Sequence, residues 1–90
     1  MSYSRYDTDE VLADVLYERV RQVRKWGPQR HVPGKWLSIL IEEVGEVAQE
    51  INDASEAGRE LDWGEYRAEL VQVAAVAVAA IEALDAEMGR

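Results

Sequence analysis

The sequence predicts an all-α fold, an antiparallel helical bundle with three main helices per chain, completed by oligomerisation. Three observations predict it. Apolar residues recur at three- and four-residue steps along most of the chain, which is the period of an α-helix. No stretch alternates apolar and polar residues for long enough to mark a strand. Residues 70–81 are apolar at eleven of twelve positions, with Gln72 the exception. A helix that is apolar on all sides is buried on all sides, and two other helices of so short a chain cannot cover it. The missing cover is expected to be another copy of the chain.

The chain has 90 residues, 48% of them hydrophobic, enough for one small domain with a marginal core of its own. Its formal net charge is −8. That argues against a nucleic-acid partner, because such binding comes largely from Lys and Arg neutralising phosphates. There is no cysteine, so disulfides and Cys-ligated zinc are excluded. Residues 1–6 lack the apolar segment of a signal peptide. The longest apolar run, Val73 to Ile81, is too short to span a bilayer. A cytoplasmic protein without a membrane partner is expected.

The elements follow in order. Residues 1–7 form a polar arm and residues 8–90 the helical domain. Asp7-Thr8-Asp9-Glu10 is a capping box with Asp7 as N-cap. Leu12, Val15, Leu16, Val20 and Val23 then give the apolar stripe of a first helix over 8–25, with Glu18, Arg19, Arg21, Arg24 and Lys25 off that stripe. Trp26 to Gly34 holds two Pro and two Gly, so it is a loop. A second helix runs from near Lys35 to Ala57 and stops at Gly58. Gly45 in its middle suggests either a close approach by another backbone or a ligand, or simple tolerance. Asp62-Trp63-Gly64-Glu65 is a second capping signal, and the third helix runs on to Met88. Trp36 and Trp63 are expected to be packing residues, and His31 a solvated loop residue.

The second helix carries Ile41-Glu42-Glu43-Val44-Gly45-Glu46-Val47-Ala48-Gln49-Glu50. At about 100° per residue, Glu42, Glu46 and Asp53 fall near one meridian, with Glu43 and Glu50 within a further quarter-turn. Two readings fit. One is a solvated acidic stripe. The other is a set of carboxylates placed to hold a hard divalent cation such as Mg²⁺. Glu43 and Glu46 are one turn apart, as are Glu69 and Gln72 on the third helix. In antiparallel helices these pairs can face each other across a groove, a known way of building a metal site. Arg24-Lys25-Trp26-Gly27 followed by Gln29 reads either as a phosphate clamp with a base platform or as a solvated helix end with Trp as a core plug.

Glu42-Glu43-x-x-Glu46, followed by Glu69-x-x-Gln72, resembles the signature of the MazG-like nucleoside triphosphate pyrophosphohydrolases, E-E-x-x-E and then E-x-x-D. The preceding Glu18-Arg19-x-Arg21-Gln22-x-x-Lys25-Trp26-Gly27-x-Gln29 is similar to the segment upstream of it in small bacterial and phage members. The resemblance covers residues 15–84. It implies a Mg²⁺-dependent enzyme, with Mn²⁺ as a substitute, that cleaves a nucleoside triphosphate to monophosphate and pyrophosphate within a homodimer or homotetramer. It also implies Glu43, Glu46 and Glu69 as metal ligands and Glu42 as a further ligand or the residue orienting the attacking water. The implied substrate contacts are Arg21, Lys25, Trp26, Gln29 and Gln72. The family's final Asp is Gln72 here, which keeps an oxygen but loses a charge. Gln72 is therefore expected not to ligate tightly, and metal affinity to fall. The alternatives are a nucleotide- or metal-binding homologue that hydrolyses slowly or not at all, and a helical interaction module.

Overall fold

The computed structural model describes residues 7–89, so residues 1–6 of the expected arm and Arg90 lie outside the described residues. The described chain is α1 (Thr8–Trp26), α2 (Pro33–Ala57) and α3 (Trp63–Glu87). Local chemistry sets these limits. The Asp7 carboxylate accepts from the Glu10 backbone N–H at 3.0 Å, and Asp62 does the same for Glu65 at 3.0 Å. Both satisfy an N–H that a helix start leaves without a partner. Gly58 ends α2 at φ 66°, a left-handed conformation that costs other residues a clash with their own Cβ. The second helix starts at Pro33, slightly ahead of the expected Lys35, because Pro has no N–H to leave unpaired at the first helical position.

The third helix is the hub. It packs against both α1 and α2, while α1 and α2 do not pack on each other. Trp36, near the start of α2, joins Val76 and Ala79, well along α3, with Ile39, Leu40, Ala80 and Ala83 around them. The two helices are therefore antiparallel. The first helix runs parallel to α3, since Asp14 pairs with Arg67 at 2.7 Å and Arg19 with Glu82 at 2.6 Å. None of the described helices is long and apolar enough to cross a membrane.

The core is thin. The radius of gyration is 15.4 Å, against about 12 Å for a compact chain of this length. The smallest dimension is 20 Å, about two helix diameters. Only Val15, Trp36, Ala54, Ala75, Val76 and Ala79 are buried hydrophobics among the described residues. Trp36 packs as expected. Trp63 packs only at its edge: it is largely exposed, its ring meets Tyr66 edge-on with centroids 6.0 Å apart, and Nε1 donates to Glu60 at 3.0 Å.

The first helix departs most from expectation. Of its apolar stripe only Val15 is buried, and Leu12, Leu16, Val20 and Val23 are exposed. The face turned to α3 carries Glu18 and Gln22 instead, at 8% and 9% exposure. The reason is pairing. Glu18, Arg19 and Gln22 find hydrogen-bond partners on that face, and among the described residues nothing covers the apolar stripe beyond Val15. Likewise Leu37, Ile41, Val44 and Ile51 form an exposed stripe on α2. Outside the backbone of its own helix turn, no atom of the described residues lies within 4 Å of where a Cβ on Gly45 would stand, so no close approach by another described segment accounts for that glycine.

Candidate functional site

The antiparallel register of α2 and α3 brings Glu43, Glu46 and Glu69 together. Each offers a carboxylate oxygen, and these oxygens all lie within 4.8 Å of one another. The helices place them for simple reasons. Glu43 belongs to the inner face of α2, with Trp36, Ile39, Leu40 and Val47, and is half-buried. Glu46 sits one turn on and is exposed at the edge of the contact. Glu69 is half-buried on α3, and its Oε2 is fully buried with no hydrogen-bond partner.

The electrostatics are those of crowded acids. Burial first, then the charges of Glu46, Glu42 and Glu18, push the Glu43 pKa above its ordinary value. Burial first, then Glu46, Glu65 and Glu43, push Glu69 up as well. A carboxylate raised by burial and by like charges is one that a cation would relieve. The donor set is all oxygen, which suits Mg²⁺, Mn²⁺ or Ca²⁺. Carboxylate oxygens within 4.8 Å of one another are near enough that side-chain adjustment could bring all three residues onto one ion. The buried, unpartnered Glu69 Oε2 is the strongest single sign that the residues fit such an ion, because a buried acceptor left unpaired is costly.

Gln72 and Glu18 extend the site toward α1. The Gln72 side chain contributes to lowering the pKa of the Glu18 carboxylate. Arg21 grips that carboxylate with both arms, Nε at 3.0 Å and Nη2 at 2.8 Å, and Gln22 donates to it at 3.3 Å. These bonds, Arg21 foremost, outweigh burial and hold the Glu18 pKa below its ordinary value. Glu18 is therefore a buried carboxylate that stays charged. Sequence reasoning set it off the apolar stripe of its helix. The available signal was its one-turn spacing to Gln22, within the segment that carries the resemblance.

The other expected residues lie further out. Glu42 is exposed on α2 but close enough for its charge to act on Glu43. Arg21 is committed to Glu18 through Nε and Nη2, leaving Nη1 outside that pairing. Lys25 Nζ lies 4.7 Å over the ring of Trp26, and both side chains are exposed at the end of α1. From Glu18 to Lys25 is two turns, roughly 10 Å along the helix. These two residues are thus not brought into the carboxylate cluster. Gln29 lines a cavity of about 240 Å³ with Arg19, Gln22 and Trp36. The Trp36 Nε1 is buried without an acceptor, and His31 stands edge-on to its ring at 4.8 Å.

Compared with known proteins, the chain matches no family model, no curated protein and no solved structure.

Proposed function

We propose that the chain is a Mg²⁺-dependent nucleoside triphosphate pyrophosphohydrolase of MazG-like type, acting as a homodimer or homotetramer. The observation that carries this is the convergence of Glu43, Glu46 and Glu69 to within 4.8 Å, residues that the signature resemblance had singled out. A divalent ion held there would neutralise phosphate charge and lower the pKa of a bound water. The chain's own residues supply the rest. Glu43, Glu46 and Glu69 hold the ion. Glu42, exposed beside Glu43, orients the attacking water and takes its proton. Water adds at the α-phosphorus, the bond to the bridging oxygen breaks, and pyrophosphate leaves. Arg21 offers Nη1 to a phosphate oxygen from a guanidinium already fixed on Glu18. Lys25 adds a second positive charge further along the helix. Gln29 and the 240 Å³ cavity beside Trp36 offer room for the nucleoside. Phosphoryl transfer is served by such positioning and charge neutralisation more than by covalent help.

The exposed apolar stripes support self-association. Leu12, Leu16 and Val20 on α1 and Leu37, Ile41 and Val44 on α2 are all more than 40% exposed, a surface that a second copy would cover.

The test is pyrophosphate release from a panel of natural and modified nucleoside triphosphates, with Mg²⁺, with Mn²⁺ and with chelator. Metal-dependent release that Glu43→Gln and Glu46→Gln abolish, with helix content intact, is the expected result. Full activity in both variants, or in excess chelator, overturns the assignment. Metal-dependent nucleotide binding without release favours the non-hydrolysing homologue, for which Gln72 is the specific argument.

A further inference from the structure

Among the described residues, two buried side-chain atoms have no hydrogen-bond partner, Glu69 Oε2 and Trp36 Nε1. They are opposites. The first is an acceptor in the carboxylate cluster, where a cation would satisfy it. The second is a donor, since an indole N–H cannot accept. A buried donor left unpaired is costly, so an acceptor is missing at Trp36. The chain supplies none, although Trp36 is only 8% exposed and packs in the core with Val76 and Ala79.

The same side chain lines two cavities. One, of about 240 Å³, lies between α1, α3 and the loop residues 27–30. The other, of about 620 Å³, lies between residues 30–33 and the last turns of α3. Cavities of this size hold small molecules. Polar groups of the smaller one are already taken. Arg19 gives Nε and Nη2 to Glu82 and Nη1 to Gln22, and Gln22 gives its amide to Glu18. Among the described residues the Trp36 N–H is the one buried side-chain group lining that cavity without a partner. Trp36 and Glu43 lie seven residues apart on the inner face of α2, two turns or roughly 10 Å. That is about the reach from a nucleobase to its own phosphates. A nucleotide with its phosphates at the carboxylate cluster therefore has its base at Trp36.

A base enters such a cavity with the edge opposite its sugar ahead. Uracil, thymine and guanine carry an oxo group at the corner of that edge, where cytosine and adenine carry an amino group. An oxo group accepts from the indole N–H. An amino group sets donor against donor and leaves both unpaired. We propose that Trp36 is a specificity-determining residue of the nucleotide site, whose indole N–H selects oxo bases over amino bases. This rests on the nucleotide reading proposed above for the class of ligand, and adds to it which bases are taken.

The test is NMR of the indole N–H groups, of which the three tryptophans give three. Trp26→Phe and Trp63→Phe, both at exposed positions, each remove one signal and so identify that of Trp36 without touching the core. Uridine, cytidine, inosine and adenosine are titrated in chelator, as two pairs that differ by oxo against amino at one corner. Uridine and inosine are expected to move the Trp36 signal. Cytidine and adenosine are expected to bind about ten-fold or more weakly, the effect of one unpaired buried group. Trp36→Phe, which keeps an aromatic ring and loses the N–H, is expected to bind both members of each pair alike. If that variant does not fold, the wild-type titration decides alone. Equal affinity within each pair in wild type, or selectivity that survives in Trp36→Phe, overturns the inference. So does a Trp36 signal that no nucleoside moves, because solvent then satisfies the N–H. The chelator keeps these outcomes apart from the cation site. Oxo-selective binding by a chain that takes up no Mn²⁺ removes that site and keeps this one, and Mn²⁺ uptake with an unmoved Trp36 signal does the reverse.

Discussion

Glu69→Gln should make the metal-free protein more stable and the metal-loaded protein less so. The Glu69 carboxylate lies within 4.8 Å of oxygens from Glu43 and Glu46. Two unit charges at that distance repel by about 0.9 kcal/mol in water and about 3.5 kcal/mol at the effective dielectric of a protein surface. Glu46 is exposed, so the lower half of that range applies. Gln keeps the shape, removes the charge and can donate a hydrogen bond to a neighbouring carboxylate. A gain of about 1 kcal/mol in chelator follows, which raises the melting temperature by about 4–8 °C in a domain of this size. With Mg²⁺ or Mn²⁺ the order should reverse. Wild type gains about 2.7 kcal/mol when free metal is a hundred times its dissociation constant, and the variant gains far less. Melting curves of both proteins at neutral pH, in chelator and in saturating metal, should therefore cross. A variant less stable than wild type in chelator refutes the argument from crowded charge. Curves that ignore metal in both proteins refute the cation site.

Two further outcomes are expected. Glu43 and Glu69 hold their protons to higher pH in the folded chain than the ordinary 4.5, so their contribution to metal-free stability is present below 4.5 and lost as pH rises through the raised values. Glu18 has the opposite sign, contributing above 4.5 and losing that contribution as pH falls through its lowered value. Mild acidification from neutral should thus raise the melting temperature in chelator less in Glu43→Gln than in wild type and weaken Mn²⁺ binding in wild type. An identical pH profile in the two proteins speaks against a raised Glu43. For the α2 stripe, Ile41→Glu and Val44→Glu should lower the mass seen by light scattering at micromolar concentration. If wild type already scatters as one chain, or if the variants keep its larger mass, the stripe is not an interface.

The three helices were legible because their signals are local. A capping Asp, a Pro-Gly loop and a glycine stop act within a few residues, and the structure places Asp7, Asp62 and Gly58 in those roles. The Glu43–Glu46–Glu69 grouping was legible because one-turn spacing on two antiparallel helices determines which side chains can meet. What sequence could not show is which face of an amphipathic helix turns inward. The apolar stripe of α1 marked a helix, yet among the described residues most of it finds no apolar counterpart. The polar face finds Glu82 on α3, which Arg19 reaches. Hydrophobic periodicity reports that a face will be covered, not by what. Trp63 failed for a related reason. Its ring was expected to pack, but it lies at the first position of α3, where the indole N–H can reach Glu60 across the turn.

The same pattern repeats on all three helices. Between α2 and α3, beyond the core of Trp36, Val76 and Ala79, the chain places the half-buried Glu43 and Glu69. Between α1 and α3 it places Glu18 and Gln22. On the outer surfaces, where charge belongs, it places Leu12, Leu16, Leu37, Ile41 and Val44. A chain selected to stand alone would exchange the two sets, since each buried carboxylate costs stability and each exposed Leu or Ile forgoes about 1.5–3 kcal/mol of burial. The inversion is coherent only if both halves have a use. Acids between helices are held at close range by rigid backbones, which is what a hard cation needs from its ligands and what solvated side chains on a loop do not give. Apolar outer faces are what such a chain has left for holding itself together, and they act only when another surface meets them. Under the cation-site and self-association readings proposed above, the carboxylates between helices and the apolar outer faces would be two parts of one arrangement.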